Sequence, residues 1–252
     1  MAISLLSPAG FGVACFAVLV AAVLRGFTGF GFALAAVPLL SLLWSPTQAV
    51  VAVTLMQAIV GVYDLVRMRA VMHRPSLRWL ALGALFGTPL GLYALARFDA
   101  SVMRVLIAGI VGVALLVLAR KPVLAAIGGP KLAIPAGFFA GVFSGAAAMP
   151  GPPVIAYYLS APAAPAMTRA SLLAFFFFTA IIALPGQAYA RLIDGPAVLL
   201  ALVGLPIMVG GTALGAWLFA RASQDLYRRI ALAVLAVMAL VTGLRGIAGL
   251  LS

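Results

Sequence analysis

Arg25 to Leu40 read RGFTGFGFALAAVPLL, which places an arginine, a threonine, three glycines and a proline in otherwise apolar sequence. Glycine removes side-chain bulk, and proline removes an amide donor and frees a carbonyl one turn earlier. Inside a membrane, such freed groups are tolerated only where protein or a water-filled cavity satisfies them. The stretch therefore predicts a broken helix at a buried site rather than a plain spanning helix.

A second stretch of the same kind, SGAAAMPGPPVIAYYL, runs from Ser144 to Leu159. Glycine and proline interruptions in both halves of a membrane protein point to a substrate site near the middle of the bilayer. The alternative is that the glycines let helices pack closely, as small residues do in membranes. Because the interruptions are paired, we favour the site interpretation.

The composition indicates an integral membrane protein. Of the 252 residues, 66% are hydrophobic and 8% are charged, whereas soluble domains have roughly 25% charged residues. The net charge of +12 comes mainly from Lys and Arg at the ends of apolar runs, and not from one basic face that could bind nucleic acid. We therefore predict an all-α polytopic protein whose partner is the lipid bilayer, with no nucleic acid partner.

Apolar runs and turn residues predict the order of the helices. In the first half the predicted segments are Pro8–Trp44, broken at Arg25–Gly31, then Pro46–Val66, Leu77–Ala96 and Ser101–Ala119. In the second half they are Leu132–Leu159, again broken, then Ala166–Tyr189, Ala197–Ala220 and Ile230–Leu250. Ser45 and Pro46 form an N-cap signal for the second helix.

An internal repeat relates the two halves. Seven residues of the first half recur at one constant offset: Gly87, Thr88, Leu90, Gly91, Ala96, Arg97 and Arg104 correspond to Gly211, Thr212, Leu214, Gly215, Ala220, Arg221 and Arg228. The sequence therefore predicts one transmembrane domain, residues 1–252, made of two homologous halves. Repeat 1 covers about 8–119, a cytoplasmic linker about 120–131, and repeat 2 about 132–252.

The basic clusters favour inverted repeats. Arg67–Arg78 lies between the second and third elements of its half, whereas Arg221–Arg229 lies between the third and fourth. If both are cytoplasmic, as the positive-inside rule expects, each half crosses an odd number of times. The broken first element of each half must then be a re-entrant helix pair that enters and leaves by the same side. Eight ordinary spans in two parallel repeats are the alternative.

The residues that enzymes use are scarce. The four acids, Asp64, Asp99, Asp194 and Asp225, fall at predicted helix ends or turns, and the one histidine, His73, is in a basic loop. No carboxylate pair, histidine cluster or Ser/His/Asp set can be assembled from them. We therefore predict that the chain is not an enzyme and that it carries no cofactor or metal.

Arg25 is the outstanding polar residue of the apolar runs. A guanidinium within a membrane usually faces a bundle interior or water, and together with hydroxyls, amides and helix N-termini it favours an anion. No acid is close enough in sequence to guarantee a partner, and snorkelling to the membrane surface is the alternative. The candidate substrate-binding residues are Arg25, Thr28, Gly29, Gly31, Gln57, Ser144, Gly145, Gly151, Ser171 and Gln187.

The two Gly/Pro stretches and the basic loop between spans together resemble the sulfite exporter TauE/SafE family, also called the toluene sulfonate uptake permease class. The resemblance covers essentially the whole chain. It implies a multi-pass transporter of the bacterial inner membrane that exports sulfite, sulfoacetate or a related organosulfonate. Many members have a longer glycine run where this chain has Gly29–Gly31, and the second stretch has Ala146–Ala148 at the comparable place.

These features predict a secondary transporter of a small sulfur-containing anion, exported by alternating access at a midplane site. The chain has no ATP-binding motif, so ion or potential gradients are its energy source. An anion channel, or a transporter of another small oxyanion or carboxylate, is the alternative. The exact substrate, the direction, the coupling ion and the oligomeric state stay open, and a homo-oligomer is compatible with the sequence.

Overall fold

Every regular element in the part of the chain that the structure describes is an α-helix. The structure is a computed structural model that describes residues 8–28, 31–120, 129–159, 164–219 and 224–251. Its ten helices are α1 (Pro8–Thr28), α2 (Phe32–Leu43), α3 (Pro46–Met68), α4 (Arg74–Arg97), α5 (Ala100–Arg120), α6 (Gly129–Ala147), α7 (Gly151–Leu159), α8 (Pro165–Tyr189), α9 (Gly195–Phe219) and α10 (Gln224–Leu251). The predicted all-α fold class is confirmed.

Five of these helices, α3, α4, α5, α8 and α9, are long and apolar enough to cross a membrane. The mean hydropathy of their most apolar windows runs from 1.5 to 2.6. Shorter apolar stretches lie in α1, α2 and α10, at Gly10–Gly26, Phe32–Leu43 and Ala236–Leu251. Since a helix of about 20 apolar residues matches the hydrocarbon thickness of a bilayer, the chain is a multi-pass membrane protein.

Capping residues fix the starts of two helices. The Ser45 hydroxyl accepts a hydrogen bond from the Gln48 amide at 3.2 Å, and Pro46 occupies the first turn of α3. At the start of α9, Asp194 accepts a hydrogen bond from the Ala197 amide at 2.9 Å. Each cap satisfies a backbone donor that the helix cannot pair internally. The N-cap predicted for α3 is confirmed.

Both predicted helix breaks are present. Residues 29–31 separate α1 from α2, and residues 148–150 separate α6 from α7; Gly29 and Phe30 lie outside the described residues. We predicted two short helices around the first break. This is right for α2, with 12 residues, and wrong for α1, whose 21 residues extend about 31 Å. The last helix begins at Gln224 rather than Ile230, because its charged first turns are helical as well.

Glycines hold α4 and α6 in close parallel contact. Three glycines at four-residue spacing on each helix face one another: Gly83, Gly87 and Gly91 on α4, and Gly137, Gly141 and Gly145 on α6. A Cβ on any of them would meet backbone of the other helix, and at Gly141 the nearest atom would be the Ala84 carbonyl oxygen at 2.6 Å. Close packing of small residues drives helix association in lipid, where the hydrophobic effect between helices is absent.

The contact between α1 and α9 repeats this arrangement. The Cα of Gly26 approaches the backbone of α9 at Thr212, and Gly215 approaches the backbone of α1 at Val23. These helices also run parallel. Because α9 carries the sequence counterparts of the α4 glycines, the α1–α9 pair corresponds to the α6–α4 pair.

The other main contacts follow the same correspondence. The α3–α9 contact matches that of α8 with α4, and the α1–α2 contact matches that of α6 with α7. Two further contacts, α3 with α8 and α5 with α10, join each helix to its own counterpart. The principal helix contacts therefore correspond between the two halves, when each of α1–α5 is matched to the helix five places later in the chain.

Candidate functional site

Arg25, in the last turn of α1, is buried and paired with an acid. Its Nη2 donates to Oδ2 of Asp64 on α3, and its Nη1 donates to the Thr212 hydroxyl on α9 at 3.5 Å. Asp64 lies near the end of α3, as the sequence predicted for the acids, and it is buried. Packing of α3 against the other helices brings this carboxylate to Arg25. The snorkelling alternative does not describe this conformation.

A small cavity adjoins the ion pair. It has a volume of about 20 Å³, enough for roughly one water molecule. Helices α1, α2, α3, α8 and α9 contribute its lining: Arg25, Phe32, Gln57, Gly61, Asp64, Leu173, Phe176, Phe177 and Met208. The cavity is therefore too small in this conformation to hold a group of four or more heavy atoms.

Gln57 connects this cavity with the second helix break. Its side chain lines the cavity, and its Nε2 donates to the carbonyl oxygen of Ala148, in the α6–α7 break, at 3.2 Å. Two backbone hydrogen bonds to α6 also stabilise the break. The Ala148 amide donates to the Ser144 carbonyl oxygen at 2.7 Å, and the Met149 amide donates to the Phe143 carbonyl oxygen at 3.2 Å. A residue of the first half thus satisfies a backbone group freed in the second.

Ala148 has a φ of 55°, in the left-handed region that costs a non-glycine residue about 1–2 kcal/mol. We expect Ala148→Gly to raise the free energy of unfolding by about 0.5–1 kcal/mol, since glycine relieves the strain and loses part of the gain to unfolded-chain entropy. Thermal unfolding in detergent measures it. Ala136→Gly, inside α6, is the control and should destabilise by a similar amount. An equal decrease in the free energy of unfolding of both variants would contradict backbone strain at Ala148.

Four of the ten predicted site residues lie at or beside the cavity. Arg25 and Gln57 line it. Gly31 is the N-cap residue of α2, directly before the cavity residue Phe32. Gly151 begins α7, and a Cβ built on it would lie 3.6 Å from Cζ of Phe176.

The other predicted site residues are placed elsewhere. Ser144 lies at the end of α6, and Gly145 packs against α4. Ser171 accepts a hydrogen bond from the His73 amide at 2.9 Å, and Gln187 donates to the Thr54 hydroxyl at 3.2 Å. Thr28 is the last residue of α1 and Gly29 lies outside the described residues. The structure thus does not gather all ten into one site, and their roles in binding stay predictions.

Arg169, in the first turns of α8, is a charged residue that the sequence analysis overlooked. It lies close enough to Arg25 for the two guanidinium charges to repel each other. Its Nε is buried and has no hydrogen-bond partner among the described residues. A sequence signal exists, because cations are unfavourable near the positive N-terminal end of a helix dipole, and Arg169 stands there without an acid nearby in sequence.

Comparison with known proteins gives one match. No curated protein and no solved structure matches the chain. The model of one protein family, described as Sulfite exporter TauE/SafE, matches residues 14–242, nearly the whole chain. This family consists of membrane transporters, which agrees with the buried ion pair, the broken helices and the apolar spans described above. The chain belongs to the sulfite exporter TauE/SafE family.

Proposed function

We propose that the chain is a secondary transporter that exports a small sulfur-containing anion, such as sulfite or an organosulfonate, across the bacterial inner membrane. The observation that carries the proposal is the buried Arg25–Asp64 pair beside a small cavity, which Phe32 and Gln57 connect to the two helix breaks. A transporter of another small oxyanion or a carboxylate, or an anion channel, is the alternative.

The polar groups of the cavity suit an oxyanion. A guanidinium presents donors in a planar fork that matches two oxygens of one anion. In this conformation, the Asp64 carboxylate occupies part of that fork. Asp64 therefore stands where we propose that an oxygen of the substrate binds. The Gln57 amide lines the same cavity, and the Thr212 hydroxyl accepts a hydrogen bond from Arg25.

The energetics permit export without ATP. Moving one negative charge outward along an inside-negative potential releases about 2.3 kcal/mol per 100 mV. The ion pair compensates the charge of Arg25 while no anion is bound, since an isolated charge in a low-dielectric interior is far more costly than a paired one. A potential-driven uniporter is thus sufficient, and a coupled ion is not required.

Alternating access follows from the arrangement if the repeats, about 8–119 and 132–252, are inverted. Two contacts support inversion. His73, between α3 and α4, donates to Ser171 near the start of α8, so α8 starts where α3 ends. At the opposite end of α3, Gln48 donates to Asp194 between α8 and α9 at 2.7 Å. If the basic segment near His73 is cytoplasmic, α1–α2 enters from outside and α6–α7 from inside.

Cysteine labelling tests this topology. In a Cys15→Ala background, Ala70→Cys in the basic segment should be protected from a membrane-impermeant thiol reagent in intact cells, whereas Tyr189→Cys at the end of α8 should react. Both positions are exposed, and Tyr189 is 93% exposed. Ser76 is unsuitable as a probe, because it is buried and bonded to Tyr158. Protection of Tyr189→Cys would favour parallel repeats of eight spans.

Reconstitution tests the function itself. Purified protein in liposomes should take up sulfite, thiosulfate or an organosulfonate with saturation, and a pH gradient imposed across the membrane should show whether protons are coupled. Sulfate, taurine and a small carboxylate complete the panel. Saturable uptake of the carboxylate alone would overturn the sulfur-anion assignment. Unitary currents in a planar bilayer would show that the protein is a channel and not a transporter.

A further inference from the structure

We infer that Arg169 is a second anion-binding cation of this site, and that together with Arg25 and Asp64 it gives the site the single net positive charge that a monovalent sulfur oxyanion neutralises. The inference rests on the proposed function, because it assigns a residue and a charge class to the same cavity. Three features of the site support it: the position of Arg169 on α8, the unpaired Nε of its side chain, and the number of charges around the cavity.

The position follows from helical periodicity. Leu173, Phe176 and Phe177 are the cavity-lining residues of α8. Arg169 precedes them by four, seven and eight residues, which are the spacings of one helix face. Arg169 thus lies one turn beyond the cavity wall, at the end of the cavity nearer the start of α8, where Arg25 is also within electrostatic range.

The unpaired Nε indicates a missing partner. Buried side-chain donors in folded proteins almost always have a hydrogen-bond acceptor, and an exception calls for an explanation. Here the exception is a cation beside a second cation, and Asp64 is already engaged by Arg25. An anion placed between Arg169 and Arg25 would supply an acceptor for the free donor and would remove the repulsion between the two guanidiniums.

The charge count then sets the preferred substrate. Among the described residues that line the cavity, Arg25 and Asp64 alone are charged, and Arg169 adds a second cation. Two guanidiniums and one carboxylate leave a single net positive charge. A monovalent anion neutralises it, whereas a divalent anion leaves an uncompensated negative charge in a low-dielectric interior, which is unfavourable. Hydrogensulfite and methanesulfonate fit this rule, and sulfate and sulfoacetate do not.

The test is uptake of radiolabelled sulfite by the full chain in liposomes, with methanesulfonate and sulfate as competitors. Arg169→Gln should raise the half-saturation concentration at least about tenfold, as expected for loss of one charged hydrogen bond. Sulfate should compete less well than methanesulfonate in both proteins, because it leaves the larger uncompensated negative charge in each. Arg67→Gln is the matched control, since Arg67 is an exposed arginine of α3 near the same end of the bundle, and it should behave as wild type.

Two further variants separate binding from folding. Arg169→Lys keeps the charge, so it should retain the preference for monovalent anions with a weaker affinity. The double variant Arg169→Gln/Asp64→Asn frees Arg25 and restores one net positive charge, so its half-saturation concentration should return towards that of wild type. Wild-type affinity in Arg169→Gln would overturn the role of Arg169, and equal competition by sulfate and methanesulfonate in the wild-type protein would overturn the preference for monovalent anions.

A binding measurement distinguishes this failure from failure of the proposed function. Methanesulfonate should raise the unfolding temperature of the purified wild-type protein and should do so at least about tenfold less potently in Arg169→Gln. Stabilisation of wild type without sulfite uptake would sink the transport proposal and leave Arg169 as an anion site. Sulfite uptake by wild type, together with equal stabilisation of wild type and Arg169→Gln by methanesulfonate, would support the transport proposal and overturn the inference about Arg169.

Discussion

Arg25→Gln is expected to abolish transport and to lower the free energy of unfolding by about 3–5 kcal/mol, the usual cost of leaving one member of a buried ion pair without its partner. The exposed fraction of Arg25 is 8% and that of Asp64 is 9%, so bulk water has little access to the carboxylate that would be left unpaired. Unfolding of purified protein in detergent measures the stability, and liposome uptake, normalised to inserted protein, measures the transport.

A double variant separates the two effects. Arg25→Gln/Asp64→Asn removes both charges and should fold nearly as well as wild type, because no unpaired charge remains. Its half-saturation concentration should still rise at least about tenfold, since only Arg169 is left to bind the anion. Arg25→Lys should keep the ion pair and lose the planar fork, with a similar rise. Wild-type saturation in both variants would reduce Arg25 to a structural residue.

Gly87→Ala is expected to lower the free energy of unfolding by about 3 kcal/mol. A Cβ at Gly87 would overlap the Phe138 carbonyl oxygen of α6, which is backbone and cannot move aside. The two helices would have to separate, and the neighbouring glycine contacts would be lost with them. Thermal unfolding in detergent, together with the yield of monodisperse protein, measures the effect.

Two glycines serve as controls for this prediction. Gly112 on α5 has no atom within 4 Å of a built Cβ, so Gly112→Ala should stabilise by about 0.8–1 kcal/mol through helix propensity alone. Gly211, the repeat counterpart of Gly87, would meet the Ala22 side chain at 2.7 Å, and Gly211→Ala should fall between the two. A neutral Gly87→Ala would mean that the α4–α6 contact is looser than described.

Features encoded locally could be predicted from the sequence. The break after Arg25 and the N-cap at Ser45 depend on residues within a few positions of one another, and both are present. The same holds for the second break, where Gly151 follows Pro150 in the chain. Glycine, proline and serine act on the backbone of their own segment, so their effect does not depend on the tertiary fold.

The centre of the site could not be predicted because it is tertiary. Asp64 is 39 residues from Arg25, and its place near the end of a helix suggested a solvated carboxylate. Arg169 was overlooked for the same reason, since only the packing of α8 brings it near Arg25. Gly145 is a residue whose tertiary contact differs from the role that its local sequence suggested. Its place in a Gly/Pro stretch suggested substrate binding, whereas it packs against α4.

The pairing of Asp64 with Arg25 has a kinetic consequence. If the substrate must displace Asp64, this carboxylate is a tethered competitor, and a group held nearby acts at an effective concentration in the millimolar range or above. A free anion of similar intrinsic affinity has to reach a comparable concentration before it displaces Asp64 from the guanidinium of Arg25. The protein would then bind little of its substrate at trace concentrations and would carry it mainly once the anion had accumulated, with an ordinary hyperbolic dependence on concentration.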